Sequence, residues 1–423
     1  MFKDSLQASQ SVLGGVFKKI QCGIEKFRLF KSSRYIAGID IGTSKITVAV
    51  ATFSKDGHEI PEIIGIGQWR STAVRKGDII NLSQVEGELR EAFSEAEKMA
   101  DATLERVYVG ITGSGVKCTL QKAIQPINNS EGVVTDIDER NAKFNLQNLR
   151  FSEDKRILHF FQQEYQLDGT LLSLDSPVGK IGFTLVTSRN VVYVDSLKVN
   201  AIQGMIANMR LEPFVCFSGY ASALMLMDNE ESPGGLIIDL GAGTTEYVFY
   251  ERGIIRDAGV LRVGGDHVSN DLAIAFNIPL GTAEVIKRQY GRAIHDPEAK
   301  GASFRHRVKG KEYVIPADNM QMVMELRLKE VFEVVKDLLE MRNLRLNSNQ
   351  SVTICGGGAH IPLINELASS VFGVRYVSFR MNPIFRRLNA KSDPNESESW
   401  EKPEFATAFG LAYFGIMHTL QTH

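Results

Sequence analysis

Cysteine is scarce in this chain. Its four cysteines, Cys22, Cys118, Cys216 and Cys355, lie far apart among 423 residues. No CxxC and no HExxH pattern occurs, so neither a zinc site nor a disulfide framework is expected, and reduced thiols are the plain reading. Long apolar runs are missing as well, and nothing reaches the roughly 18 apolar residues of a spanning helix. The N-terminus lacks a continuous apolar core with a small-residue cleavage site, so no secretory signal is expected. Net charge is −2, from 48 basic and 50 acidic residues, which leaves no overall nucleic-acid footprint. Two phosphate-binding signatures are also absent. There is no G-x-x-x-x-G-K-[ST], and no G-x-G-x-x-G after a first strand with an acid ~20 residues on, so P-loop and Rossmann readings fail.

The chain does contain a repeated hairpin. Leu236-Ile237-Ile238 ends in Asp239, and the turn Gly241-Ala242-Gly243-Thr244-Thr245 leads back into Tyr247-Val248-Phe249-Tyr250. Glycines let a backbone approach an anion closely, and successive N–H groups form an anion-binding concavity. An aspartate at the strand end can hold hydrated Mg²⁺, which takes few direct carboxylates. Alone, this is also the pattern of an ordinary Gly-rich hairpin. The same grammar recurs, however, at Ile39-Asp40-Ile41-Gly42-Thr43-Ser44-Lys45, followed by the apolar run to Val50. Each copy continues into a turn, at Asp56-Gly57 and at Arg252-Gly253, and then a third strand. Two copies predict a duplication, with two lobes facing one ligand.

Between and after the copies the chain alternates strands and helices. A helix is expected over 83–102, with Ser83 and Glu86 as its capping box. Residues 113–181 read as an inserted subdomain, so the first lobe comprises 34–112 and 182–230. The loop Asn229–Gly235 marks the lobe boundary, and the second lobe covers 231–423, including a small subdomain at about 266–341. There Val263-Gly264-Gly265-Asp266 is a turn, Thr282 caps a helix, 294–311 is a polar basic stretch, and a long helix runs from about Met320 to Met341. The strand Ser351–Cys355 ends in Gly356-Gly357-Gly358-Ala359, and a helix starts at Pro362. That glycine turn offers a side-chain-free surface for a base or ribose. Glu284 and Lys287, one helical turn apart, could reach ribose hydroxyls or an adenine edge; an exposed ion pair is the plain alternative. Small residues at Ala221-Ser222-Ala223 and at Ala406, Ala408, Gly410 and Ala412 would let two helices approach closely, and ordinary core packing accounts for them equally well.

This ordered set resembles the actin/Hsp70/hexokinase superfamily: a first phosphate motif at Asp40–Lys45, a second at Asp239–Thr245, and an adenosine motif at Gly356–Ala359. Within it the chain looks most like FtsA, the bacterial actin-like cell-division family. The residues behind this are Val107–Gly113 (VYVGITG), His159 in ILHFF, Tyr165–Gly169 (YQLDG), Asp175–Gly179 (DSPVG), Val263–Asp271 (VGGDHVSND) and Ala283–Gly291 (AEVIKRQYG). The resemblance implies an α/β, actin-like fold of two duplicated lobes around a nucleotide cleft, with an FtsA-type inserted subdomain. It implies ATP as ligand, with Lys45 and Thr245 on phosphate and Asp40 and Asp239 facing hydrated Mg²⁺. It implies no catalytic residue, self-association into filaments, tethering of FtsZ filaments at the cytoplasmic face of the membrane, and recruitment of other division proteins. The FtsZ C-terminal tail would dock on the small subdomain, where Arg305, Arg307 and Arg327 are the candidate partners, with Lys300, Lys309 and Lys311 nearby. Two other functions share the fold: a PilM-like pilus adaptor and a sugar or acid kinase. A kinase needs a carboxylate base against a substrate hydroxyl, and none is identifiable in the sequence.

The family usually ends in an amphipathic membrane helix, whereas this chain stops nine residues after Phe414. The expectation is that residues 2–30 supply the anchor instead. Residues 1–34 hold seven basic residues against Asp4 and Glu25, a net +5 that leaves −7 for the remainder. At 100° per residue, Phe2, Leu6, Leu13, Phe17, Ile20, Ile24 and Phe27 fall within an arc of about 80°. Lys18, Lys19 and Lys26 lie off that arc, the pattern of a helix in a membrane interface. Gly14, Gly15 and Gly23 each cost roughly 1 kcal/mol in a helix and suggest a break.

Overall fold

The computed structural model describes residues 35–54, 60–173, 175–228, 232–308, 310–385 and 401–421. The N-terminal segment 1–33, the turn at Asp56-Gly57 and Lys309 lie outside these described residues.

The chain opens with three strands. β1 (Tyr35–Ile41) and β2 (Lys45–Thr52) are antiparallel, and β2 pairs antiparallel with β3 (Glu62–Arg70). β2 is rich in β-branched residues and buries six consecutive positions, as a strand covered on both faces must. A short hairpin, β4 (Val74–Arg75) with β5 (Asp78–Ile79), precedes helix α1 (Leu82–Ala100). The cap of α1 is Asn81, whose side chain accepts from the Gln84 N–H at 3.1 Å. The expected Ser83–Glu86 box does not form; Glu86 pairs with Arg90 instead. Asparagine is as good a cap as serine and stands closer to the turn. Helix α1 lies almost against the backbone of β3, where a Cβ on Gly67 would sit 1.8 Å from the Ala92 carbonyl. β6 (Arg106–Ile111) then runs parallel to β1.

The chain next leaves the first sheet. β7 (Lys117–Pro126), helix α2 (Asp136–Gln147), β8 (Lys155–Leu167), β9 (Thr170–Ser173) and β10 (Thr184–Asp195) build a four-stranded sheet in the order β7-β10-β8-β9. Here the expected limit at 181 is corrected. β10 pairs along its length with β7 and β8, so the insertion extends to Asp195. Helix α3 (Ser196–Asn208) and β11 (Glu212–Phe217) return to the first sheet, completing the order β11-β6-β1-β2-β3. Helix α4 (Ser218–Leu224) follows.

The second lobe repeats this winding. β12 (Gly235–Leu240), β13 (Thr245–Glu251) and β14 (Ile254–Leu261) form the meander. Helices α5 (Gly265–Ala275) and α6 (Leu280–Tyr290), the hairpin β15 (Ser303–Val308) with β16 (Lys311–Pro316), and helix α7 (Ala317–Glu340) come next. β17 (Ser351–Cys355), helix α8 (Ile364–Phe372) and β18 (Arg375–Tyr376) complete a sheet ordered β14-β13-β12-β17-β18. In both lobes the third, second, first, fourth and fifth sheet strands lie side by side, and the first runs parallel to the fourth. The duplicated, actin-like α/β architecture is therefore present in the topology itself.

Four further expectations need correction. The polar stretch 294–311 contains strand β15, hidden by its alternation of basic and apolar residues. Thr282 lies buried in the first turn of α6, which starts at Leu280 after Pro279. After Pro362, Leu363 takes a left-handed φ of 63°, so α8 begins only at Ile364. The last helix, α9 (Ala406–Gln421), does not belong to the second lobe. It packs on the first sheet: a Cβ on Gly38 of β1 would lie 2.2 Å from the Ala408 carbonyl. Its apolar residues share one core with β1, β2 and β6.

Candidate functional site

The two Gly turns close in the same way. The Gly42 N–H donates to the Lys45 carbonyl at 3.0 Å, and the Gly241 N–H to the Thr244 carbonyl at 2.9 Å. Among the described residues the amides of Thr43, Ser44, Ala242 and Gly243 meet no protein acceptor. The two tips touch across the interlobe cleft, and a Cβ on Gly243 would come 2.4 Å from Thr43 Oγ1. Unpaired, closely spaced amides at a glycine turn are a ready anion site.

The aspartates end the first strand of each lobe. Asp239 is 7% exposed, and its Oδ2 accepts from Thr407 Oγ1 at 2.7 Å. A Cβ on Gly356, whose φ is 78°, would lie 2.2 Å from Asp239 Oδ1, so only glycine fits there. Burial pushes the Asp40 carboxyl up to about 7, helped by the charge of Asp239 and opposed by Lys45. Asp239 is raised too, by burial. Directly across the hairpin from Asp239 stands Glu246, bonded to Thr112 and to Thr244 Oγ1 at 3.2 Å. Burial first, and then Asp239, push Glu246 up to about 8. Among the described residues no three His, Cys, Asp or Glu side chains are arranged to hold a bare metal ion. Two mutually repelling aspartates do fit a hydrated divalent cation, which would relieve that repulsion through its own waters.

Beside the touching turns opens a cavity of about 900 Å³, within the range of small-molecule sites. Thr43, Ser44 and Gly243 line it, with Asp266, Glu284 and Arg288 from the second lobe. Glu284 accepts from Lys287 at 2.6 Å and from Ser269 at 2.5 Å, and Lys287 also donates to the Gly265 carbonyl at 2.9 Å. Lys287 is nearly buried, so the pair ties α6 to the start of α5 and is not the exposed ion pair of the plain alternative. Gly264 and Gly265 sit close on the second turn: the Gly265 N–H donates to the Gly241 carbonyl at 2.9 Å. Gly357 faces open space, whereas a side chain on Gly358 would collide with Leu240. Lys45 Nζ lies 4.0 Å from Glu404 and 5.2 Å from the Phe405 ring centroid.

Curated relatives cover this whole arrangement. The cell-division protein FtsA of Neisseria meningitidis serogroup B is 28% identical over 394 residues, spanning 90% of both chains. FtsA of Escherichia coli strain K12 is 26% identical over 397 residues, again 90% of each. A family model described as "Cell division protein FtsA" matches residues 236–410, which hold the second turn, the α5–α6 pair and the Gly356–Gly358 turn. The chain is thus similar to FtsA over about nine-tenths of its length. Among solved structures, a PilM-PilN type IV pilus biogenesis complex aligns with a TM-score of 0.61 at 17% identity, covering 90% of this chain and 98% of the other. MreB5 of Spiroplasma citri bound to ADP aligns with a TM-score of 0.52, also at 17% identity, covering 92% and 98%. At that identity they share the actin-like fold with this chain.

Not every expected residue faces the cavity. Thr245 does not: it is fully buried and its hydroxyl donates to the Val263 carbonyl at 2.7 Å, which corrects its expected role on phosphate. Arg327 is bound within the chain, 2.5 Å from Asp271 and paired with Glu330. Arg305 and Arg307 lie on β15, with Arg305 73% exposed and 3.9 Å from Glu312. The membrane-arc residues Phe2 to Phe27 are outside the described residues. Reading the sequence missed Glu246, Thr407, Arg70, Arg75, Lys76 and His267. Glu246 carried a signal, a lone carboxylate entering the apolar run Tyr247–Tyr250, whereas Thr407 is brought to Asp239 only by the fold.

Proposed function

We propose that this protein is an FtsA-type cell-division protein that binds Mg·ATP in the interlobe cleft, assembles into filaments, and tethers FtsZ filaments to the cytoplasmic face of the cell membrane while recruiting other division proteins. The observation that carries the nucleotide is the pair of matching turns, with unpaired amides and a flanking aspartate each, beside a cavity of about 900 Å³. When bound, the metal would neutralise the phosphates. Asp40 and Asp239 would hold its waters, the unpaired amides of Thr43, Ser44, Ala242 and Gly243 the phosphates, and Glu284, Lys287 and Gly357 would border the nucleoside. That the MreB5 neighbour was solved with ADP agrees with this reading. Slow hydrolysis at most is expected. Asp239 and Glu246 are already hydrogen-bonded and buried, so neither stands against a substrate hydroxyl as a kinase base would.

The FtsZ tail, acidic and apolar, would meet Arg305 and Arg307 on β15 of the small subdomain, whose long helix α7 also exposes Met322 and Leu326. Residues 2–30 would lie in the membrane interface, drawn by their apolar arc and their lysines. The test is co-pelleting with FtsZ on vesicles containing anionic lipid. The intact protein with ATP should bring FtsZ into the pellet. Deleting residues 2–30, or making Phe17→Asp, should leave both proteins in the supernatant. Arg305→Glu with Arg307→Glu should keep the protein on vesicles and leave FtsZ behind. Reversing Arg327 is a poorer probe, because it also breaks the Asp271 pair. FtsZ absent from the wild-type pellet would overturn the tether, and binding to a PilN-type peptide would favour the pilus reading.

A further inference from the structure

The β4–β5 hairpin reaches into the cleft from the first lobe. Its tip, Lys76-Gly77, has φ of 51° and 74°, the pair of left-handed residues a tight two-residue turn needs. Glycine pays nothing for this, but lysine does, so a cation is held at the tip at some conformational cost. Gly77 is wedged in place. A Cβ there would lie 2.7 Å from Gly113 Cα and 2.8 Å from Thr244 Cγ2, and its N–H donates to Thr43 Oγ1 at 3.2 Å. The tip therefore touches both Gly turns. Arg75 and Lys76, with Arg70, line the cavity, and among the described residues none of the three has a carboxylate within 4 Å. Lys76 also acts across the cleft: after burial, its charge is the next cause holding His267 below its usual value.

The next residue is bound on three sides. Asp78 Oδ1 accepts from Lys198 Nζ at 2.7 Å and from the Ser114 N–H at 3.0 Å, and Oδ2 lies 3.1 Å from Arg262. Ser114 stands where the chain enters the inserted sheet and Lys198 where it leaves, in the first turn of α3. Lys198 also donates to the Thr112 carbonyl, and Arg262 follows β14 of the second lobe. One carboxylate thus joins the cleft hairpin, both crossings of the insertion's neck, and the second lobe.

We propose that Val74–Ile79 is a phosphate-sensing strap, in which Arg75 and Lys76 bind the outer phosphates of the cleft nucleotide and Asp78 passes the strap's position to the neck of the inserted subdomain. This rests on the nucleotide reading above and adds a second set of phosphate contacts with an output. The shared chemistry is a polyphosphate anion, so the probes are ATP, AMP and inorganic tripolyphosphate, each titrated into the full chain by calorimetry. Lys76→Asn keeps the left-handed turn without the charge. It and Arg75→Gln should each weaken ATP binding by about tenfold, the scale of a charge-assisted hydrogen bond, and leave AMP binding unchanged. Lys76→Arg should restore ATP binding. Unchanged ATP affinity, or equal losses for ATP and AMP, overturns the strap and leaves the nucleotide reading standing. If the wild type binds no nucleotide, that reading fails. Tripolyphosphate binding that depends on Lys76 would then sustain the strap alone, and its independence of Lys76 would overturn the strap too. The output is read by hydrogen exchange. ATP should slow exchange at residues 113–116 in the wild type and not in Asp78→Asn, and equal slowing in both overturns the transmission.

Discussion

His159 shows how one residue's chemistry follows from where the fold puts it. It lies in β8 of the inserted sheet and is buried, with Nε2 accepting from the Phe217 N–H at 2.9 Å. Phe161, Tyr220 and Phe414 surround the ring at centroid distances of 5.8, 4.7 and 5.5 Å. Burial lowers its pKa from 6.5 to about 3. The unfolded chain thus takes up a proton below 6.5 that the folded protein refuses down to about 3. This group's contribution to stability is full above 6.5 and is lost as pH falls through the window to about 3. The slope is about 1.4 kcal/mol per pH unit for one proton. Denaturant titrations between pH 4.5 and 7 should show that slope shrink in His159→Gln, which retains an acceptor for Phe217 but cannot titrate. An unchanged slope would place the pH dependence elsewhere.

At the scale of elements, the small residues of α4 and α9 matter most. An ideal Cβ on Gly410 would fall 1.8 Å from the Ala221 carbonyl and 2.4 Å from its carbon, so α9 and α4 meet backbone to backbone. In an exposed helix Gly→Ala gains roughly 1 kcal/mol. Gly410→Ala should instead cost about 1–3 kcal/mol, because the clash is with backbone that cannot rotate away. Gly87 on α1, with open space around it, should show the ordinary gain. The two urea midpoints should therefore move in opposite directions; a stabilised Gly410→Ala would mean that the helices stand apart. The sequence placed small residues on both helices, yet close packing within one lobe would have produced the same composition. Only the fold pairs one helix with the other.

For the whole molecule, the inserted sheet is docked and not merely tethered. Arg342 of the second lobe donates to the Cys118 carbonyl at 3.0 Å and pairs with the buried Asp257, which also accepts from Tyr247 at 3.1 Å. Arg256 pairs with Glu164 of β8, and Asn190 Nδ2 donates to the Ile255 carbonyl at 3.1 Å. The edge strand β14 is thereby covered, which also blunts it against pairing with another chain. Arg342→Ala strips Asp257 of its cation while Tyr247 keeps its bond. We expect faster hydrogen exchange along Lys117–Pro126, with little change in β1 and β2 of the first sheet. Uniform change across both sheets would mean that the insertion has no independent opening.

What the sequence determined by itself is local and periodic. The Gly turns at Asp40 and Asp239, the apolar alternation beside them and their repetition specify two like hairpins, because turn geometry and strand burial depend on near neighbours. The actin-like duplication was legible for that reason, and so were Asp40, Asp239 and the turn residues Thr43, Ser44 and Gly243. Contacts between residues far apart in the chain were decided by the tertiary structure alone. The pairing of β10 with β7 and β8 joins residues as far apart as Lys117 and Tyr193, and no local pattern encodes it. α9 crosses back to the first lobe, bringing Thr407 onto Asp239. Thr245 turned inward to the Val263 carbonyl because alternation along β13 sends that side chain away from the cleft. Lys76 gained its position because two glycines, Gly77 and Gly113, let separate loops touch. Side-chain roles that depend on such encounters are set by packing of the whole chain, and no run of neighbouring residues contains them.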